Sequence, residues 1–207
     1  MKYITYFNTL VLKKAVYLVA FILSFSTLQG QDFTANELLN RSITYHDPDG
    51  LWKNFNGSFN VSMESPNRPF RKSKIELNFK DSFFRLTVDS DVNTSVSQLE
   101  DKECLLSYNG ASNFSEEIAD KNRLSCESAK MYRDYYTYLY GLPMKLKDSG
   151  TILNPLVEEK VVDNVSYWTL KVTYEPETGG DTWYFYFDKN SFQLKRYQFF
   201  HDESKND

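Results

Sequence analysis

The chain has two histidines, and each stands beside carboxylates: His46-Asp47-Pro48-Asp49-Gly50 and His201-Asp202-Glu203. The first group has residue types that a metal ion uses, but Asp-Pro-Asp-Gly lacks the later oxygen ligands of a calcium loop. Pro and Gly so close together dictate a turn, and the segment reads as the stop of a preceding helix. The second group reads as a solvated polar tail. Nucleophilic catalysis would require a base held by a third group, and no Gly-x-Ser-x-Gly turn is present. Glu116-Glu117 and Glu158-Glu159 are neighbours in sequence, so on strands they point to opposite faces, whereas glycoside hydrolysis needs two carboxylates converging on one bond. Gly179-Gly180-Asp181 precedes a strand and does not join a strand to a helix, so no phosphate cradle is expected. The residues therefore point to a non-catalytic protein with no metal and no cofactor.

Two cysteines remain, Cys104 and Cys126. A bridge between them would close a loop of about 20 residues, worth ~3 kcal/mol in the chain-entropy model. Two separate buried thiols are the other reading; an even count in an exported chain favours the bridge.

Export is read from the N-terminus. Lys2, Lys13 and Lys14 stand without an acid, ahead of an eleven-residue apolar run, Ala15–Phe25. A spanning helix needs roughly 20 apolar residues, so this run fits the apolar core of a signal peptide better than a short uncleaved anchor. Cleavage is expected after Gly30, leaving residues 31–207 as one mature domain in the periplasm or secreted. No cysteine follows the cut to carry a lipid. The mature chain has 21 basic against 28 acidic residues, a net of −7. With no long basic run, nucleic acid and anionic membrane surfaces are poor partners. Six Asn-x-Ser/Thr triplets, at Asn40, Asn56, Asn60, Asn93, Asn113 and Asn164, are expected from Ser/Thr-rich strand faces and carry no argument.

The elements that would hold a site follow from periodicity. Asn36–Tyr45 places Leu38, Leu39, Ile43 and Tyr45 on part of one helical face. Alternation then takes over: Phe59, Val61, Met63; Ile75, Leu77, Phe79; Phe84, Leu86, Val88. Ser65–Pro69 reads as a loop, and Asp91–Glu100 is ambiguous. Leu105–Tyr108 is a short strand. A helix capped by Ser125 and stopped by Gly141 and Pro143 carries Tyr132, Tyr135, Tyr136, Tyr138, Leu139 and Tyr140 around most of its circumference. Val157–Val162 and Val165–Tyr174 form a hairpin about Asp163-Asn164. Trp183, Phe185 and Phe187 lead to a last strand, Phe192–Phe200, whose change of phase calls for a bulge near Lys195-Arg196. Strands do not alternate with helices. The expected class is α+β and mainly antiparallel β: a single curved sheet or half-open β-barrel, with helices packed on its concave face.

Three stretches carry a resemblance: Tyr45–Trp52, the Tyr-rich helix with its Gly141-Leu142-Pro143-Met144 end, and Gly180–Asp188. Together they resemble an uncharacterised family of exported Bacteroidota proteins, similar in fold to the outer-membrane lipoprotein carriers and their receptors (LolA/LolB-like). The likeness implies a half-open barrel closed by helices and a ligand space suited to acyl chains. It assigns no catalytic residue. Relatives of that type continue with further strands, so a C-terminally short member is expected.

The resulting expectation is a carrier or sensor binding an apolar ligand, a lipid or a lipoprotein acyl chain, between helix and sheet. Tyr132, Tyr135, Tyr136, Leu139 and Leu142 would form the helical wall. Phe59, Met63, Leu77, Leu86, Trp168, Leu170, Trp183 and Phe185 would form the sheet wall. The alternative is an interaction module with a packed core, binding another envelope protein.

Overall fold

Among the described residues, alternating apolar and polar side chains fold into nine strands that divide between two antiparallel sheets. The computed structural model describes residues 33–66, 68–90 and 92–207. The expected signal peptide and its cleavage point lie outside these residues. Ala35–Asp207 form one compact unit.

Helix α1 (Ala35–His46) comes first, with Leu38 and Leu39 fully buried. A meander follows: β1 (Asn56–Ser65), β2 (Arg68–Asn78), β3 (Phe83–Ser90), β4 (Asn93–Glu100) and β5 (Glu103–Tyr108). Each strand pairs with the next, giving a five-stranded sheet in sequence order. Of the segment expected as a loop, Ser65 and Arg68 already pair as strand residues. Pro69 is tolerated in β2 because β2–β3 pairing begins only at Lys72.

Two helices then interrupt the strands. The first, α2 (Glu116–Asn122), escapes the periodicity argument; the Ser115 hydroxyl caps it by accepting from the Ile118 amide at 3.3 Å. The second, α3 (Cys126–Tyr140), is the expected Tyr-rich helix, and the Ser125 hydroxyl accepts from the Ser128 amide at 3.0 Å. A four-stranded sheet completes the chain: β6 (Thr151–Val162), β7 (Val165–Tyr174), β8 (Thr182–Asp188) and β9 (Leu194–Phe200), again in sequence order.

The expectation of one sheet is corrected. No hairpin turn joins β5 to β6; α2 and α3 intervene, so strand pairing stops at β5 and restarts at β6. Neither sheet closes into a barrel: β1 and β5 are the edges of the first, β6 and β9 of the second. The bulge expected near Lys195 is present. Tyr186 pairs with Arg196 and Phe187 with Leu194, leaving Lys195 as the extra residue. A second irregularity between Leu153 and Val157 contains Pro155, which an edge strand can accommodate.

Helix α3 packs against β3, β4 and β5, and α1 packs against β6. Under α3 the core runs across the strands: Phe59 pairs with Ile75, Ile75 with Leu86, Leu77 with Phe84 and Phe84 with Leu99. Ala129 and Tyr136 join this core from the helix.

Candidate functional site

The C-terminal half of α3 is the meeting point of the three stretches that carry the resemblance. Gly141 closes the helix, its amide donating to the Thr137 carbonyl at 3.0 Å. Trp52 of the first stretch lies so close that a Cβ on Gly141 would stand 2.3 Å from the indole Cζ2. On the other flank, Tyr138 meets Trp183 of the third stretch edge-on at 5.4 Å. Its hydroxyl is hydrogen-bonded to that of Tyr174 on β7. Burial, together with that hydrogen bond, pushes the Tyr138 phenol well above the ordinary tyrosine range, and burial pushes Tyr174 up to about 12. Both phenols are therefore neutral at physiological pH and hold the helix to the second sheet.

On its opposite side, nearer its start, α3 leaves a cleft of about 340 Å³ against the first sheet. This lies within the ~300–1,000 Å³ usual for small-molecule sites. Met63, Phe70, Leu86, Val88, Leu124, Tyr132 and Tyr136 give it apolar surface. Ser65, Ser90, Asn93, Ser95, Ser97, Tyr108 and Asn122 add neutral polar groups. Among the described residues its charged lining consists of Arg71, Lys121 and Arg123, all cations. Among the described residues none of the three forms an ion pair, and Arg71 Nε is buried without a hydrogen-bond partner. A buried N–H left unmade costs ~1–3 kcal/mol, so the donor is primed for an acceptor. Beside it Ser73, 1% exposed, makes no hydrogen bond of normal geometry. Burial raises the Tyr136 phenol, partly offset by the Ser73 hydroxyl and by the Arg71 charge.

Local sequence explains this placement. Val61, Ser73, Val88, Ser95 and Tyr108 are successive partners across the five strands. Small serines there lower the sheet surface, and α3 cannot fill the hollow with its tyrosine rings alone. Arg123 sits in the left-handed conformation that ends α2 (φ 52°), which sets Leu124 as the next residue, 5% exposed. The disulfide Cys104–Cys126, with Cα atoms 5.9 Å apart, ties β5 to the start of α3 beside the cleft.

Of the expected wall residues, the cleft brings together Tyr132, Tyr136, Met63 and Leu86. Phe59 flanks it, 6.5 Å from the Tyr136 ring and 4.4 Å from Tyr140. Leu77 is core and lines a different groove. Tyr135 is 52% exposed, Leu139 is half-buried, and Leu142 is buried just past the helix end. Trp168, Leu170, Trp183 and Phe185 lie on β7 and β8 of the second sheet, away from the cleft, because the strands split into two sheets. The basic residues were not read as a site from sequence. Their signal was weak: Arg71 is one of three cations in Arg71-Lys72-Ser73-Lys74, and a strand sends alternate members to opposite faces.

The second groove, about 650 Å³, is lined by Ile43, Trp52, Phe79, Phe83, Arg133 and Met144, among others. Its charges are largely satisfied from within. Asp47 accepts from the Leu51 and Trp52 amides at 2.7 and 3.0 Å, Arg133 pairs with Asp134, and Lys145 with Asp148. Asp47 is thus the pin of the turn after α1. His46 is also structural: Nε2 accepts the Leu194 amide at 3.0 Å, and burial lowers its pKa. His201, expected in a free tail, is held by Asp181 with Nδ1 2.8 Å from Oδ1, and this hydrogen bond raises its pKa. Among the described residues no cluster of three or more His, Cys, Asp or Glu is placed to hold a metal ion. Nor is any of their helices long and apolar enough to cross a membrane.

A family model described as a family of unknown function (DUF6503) matches residues 13–206. No curated protein and no solved structure matches the chain.

Proposed function

The chain belongs to that family of unknown function, and from its geometry we propose that it is a non-catalytic carrier or sensor. It would hold a small, largely apolar ligand in the cleft between the five-stranded sheet and α3. One observation carries the reading: an apolar-floored space of about 340 Å³ stays open between elements that otherwise interlock, beside core side chains buried to 0–5%. A cleft of this size, with an apolar floor against the main helix and a few polar groups at its walls, has the form usual for small-molecule sites. Its size suits a single short chain better than a multi-acyl lipid. In this reading residues 1–30 direct export, and the mature protein works in the periplasm or outside the cell. The LolA/LolB-like resemblance agrees with carriage of an acyl group.

The test is native mass spectrometry of the protein purified from its own envelope. The expected species is a chain beginning at Gln31 with a small apolar molecule bound. Val88→Trp, which fills the cleft for ~1–3 kcal/mol of overpacking, should abolish the adduct. An adduct that survives Val88→Trp places the ligand elsewhere.

A second reading, an envelope interaction module, is favoured by the edge strand β9. Tyr197 and Phe199 are exposed there, and Phe199 stacks on Trp183 at 4.7 Å. An unpaired edge with aromatic side chains can add a partner's strand. Recovery of the wild type without ligand, and with a protein captured only while Tyr197 and Phe199 are intact, would select this reading.

A further inference from the structure

We infer that the ligand of the cleft is an anionic amphiphile: an apolar chain ending in a carboxylate or a phosphate, with the anion at Arg71. The inference rests on the carrier reading and adds the chemistry of the ligand's head. Charge is the first argument. The whole chain has 28 acidic against 24 basic residues, yet among the described residues Arg71, Lys121 and Arg123 are the only charged ones lining this cleft. Chance placement on an acidic protein would mix the signs, as the second groove does with Asp47 and Asp148 beside its lysines.

The second argument is the state of Arg71. Several basic side chains elsewhere are occupied: Lys74 with Glu76, Lys160 with Glu158, Lys171 with Glu203, Lys189 with Glu159 and Arg196 with Asp163. Arg71 has no such partner among the described residues, and its Nε is buried without an acceptor. A guanidinium presents a planar fork of donors that matches carboxylate and phosphate oxygens. Buried unsatisfied donors of this kind call for a ligand, water or ion.

The third argument is the placement of apolar surface. Leu86 and Val88 follow on β3, while Tyr132 and Tyr136 overhang from α3 one helical turn apart. An alkyl chain lies against these four, and Arg71 at the adjoining wall takes the head. Lys121 and Arg123 are exposed, so they raise the local concentration of anions at the mouth and do not fix the head.

The experiment is isothermal titration of the full mature chain with four probes: decanoate, decyl phosphate, 1-decanol and inorganic phosphate. Decanoate or decyl phosphate should bind at least about tenfold more tightly than 1-decanol, about 1.4 kcal/mol. The tighter of the two names the head group. Arg71→Met should remove that preference, so that decanoate and decyl phosphate bind the variant no more tightly than 1-decanol does, while Arg71→Lys should restore part of it. The wild-type comparison needs no variant to fold. Equal binding of 1-decanol and decanoate would overturn the anionic head and leave the carrier reading in place. Inorganic phosphate binding as tightly as decyl phosphate would overturn the amphiphile. Binding of none of the four would overturn both this inference and the carrier reading.

Discussion

Gly141 is a glycine for reasons of space, since its φ of −91° is open to any residue. The indole of Trp52 and the Thr137 carbonyl, 2.3 and 2.5 Å from where a Cβ would stand, leave it no room. Gly141→Ala should therefore destabilise by ~1–3 kcal/mol in urea unfolding, because backbone must move. Gly180→Ala, with nothing within 4 Å of its Cβ, should lie within ~0.5 kcal/mol of wild type. The Tyr138–Tyr174 pair makes a second prediction at this scale. Tyr174 ionises near 10 when free and at about 12 in the fold, where burial opposes the phenolate. The folded state keeps the proton that the unfolded chain gives up, so this contribution is intact below pH 10 and is lost as pH rises through about 12. Urea midpoints followed upward from about pH 9 should fall less steeply in Tyr174→Phe than in wild type. Equal slopes would mean that the phenol is not the group responsible.

At the scale of elements, α3 is the piece on which the molecule turns. One side of it enters the core of the first sheet through Ala129 and Tyr136, and Tyr138 reaches β7 and β8 of the second. Its N-terminal end is fixed twice, by the Ser125 cap and by the disulfide that joins Cys104 to Cys126 across a sequence separation of 22. Loop closure of that length is worth ~3 kcal/mol. Reduction should lower the urea stability by about 2–4 kcal/mol, and thiol labelling of the unfolded, unreduced chain should find no reactive group. Because β5 and α3 border the cleft, reduction should also weaken ligand binding before the second sheet unfolds. The C-terminal turn plays a similar part for that sheet: Glu203 accepts from Tyr184 and is 2.6 Å from Lys171 Nζ.

Across the whole molecule the two sheets manage their aromatic content differently. The first buries one face under α3 and leaves the other to polar residues such as Lys74, Glu76, Arg85 and Gln98. The second carries aromatics on both faces of β8, with Phe185 and Phe187 fully buried and Tyr184 and Tyr186 nearly so on the other side. Basic stems cover that second set: Lys160 lies 4.2 Å from the Tyr184 ring centroid and Arg196 5.7 Å from Tyr167. Surface ion pairs of this kind stabilise little by themselves, so their use is in shielding apolar rings from water. Arg71 stands apart from this pattern, its Nε buried with no acceptor, which is why it fits a ligand better than a surface.

The sequence by itself determined the local elements. Period-two alternation placed most of the strands but left β4 ambiguous; Ser125 and Gly141 bounded the helix, Asp163-Asn164 turned the hairpin, and the change of phase after Leu194 located the bulge. These depend on interactions within a few residues, or between strands joined by a short turn, and such interactions leave a periodic trace. Only the tertiary structure decided that the strands form two sheets, because the break is set by which edges meet after two intervening helices. That decision sent Trp168, Leu170, Trp183 and Phe185 to one sheet and Phe59, Met63, Leu77 and Leu86 to the other. The cleft followed from it. Arg71 comes from β2 and meets Lys121 and Arg123, which stand together at the end of α2 far along the chain, and no spacing in sequence encodes that meeting.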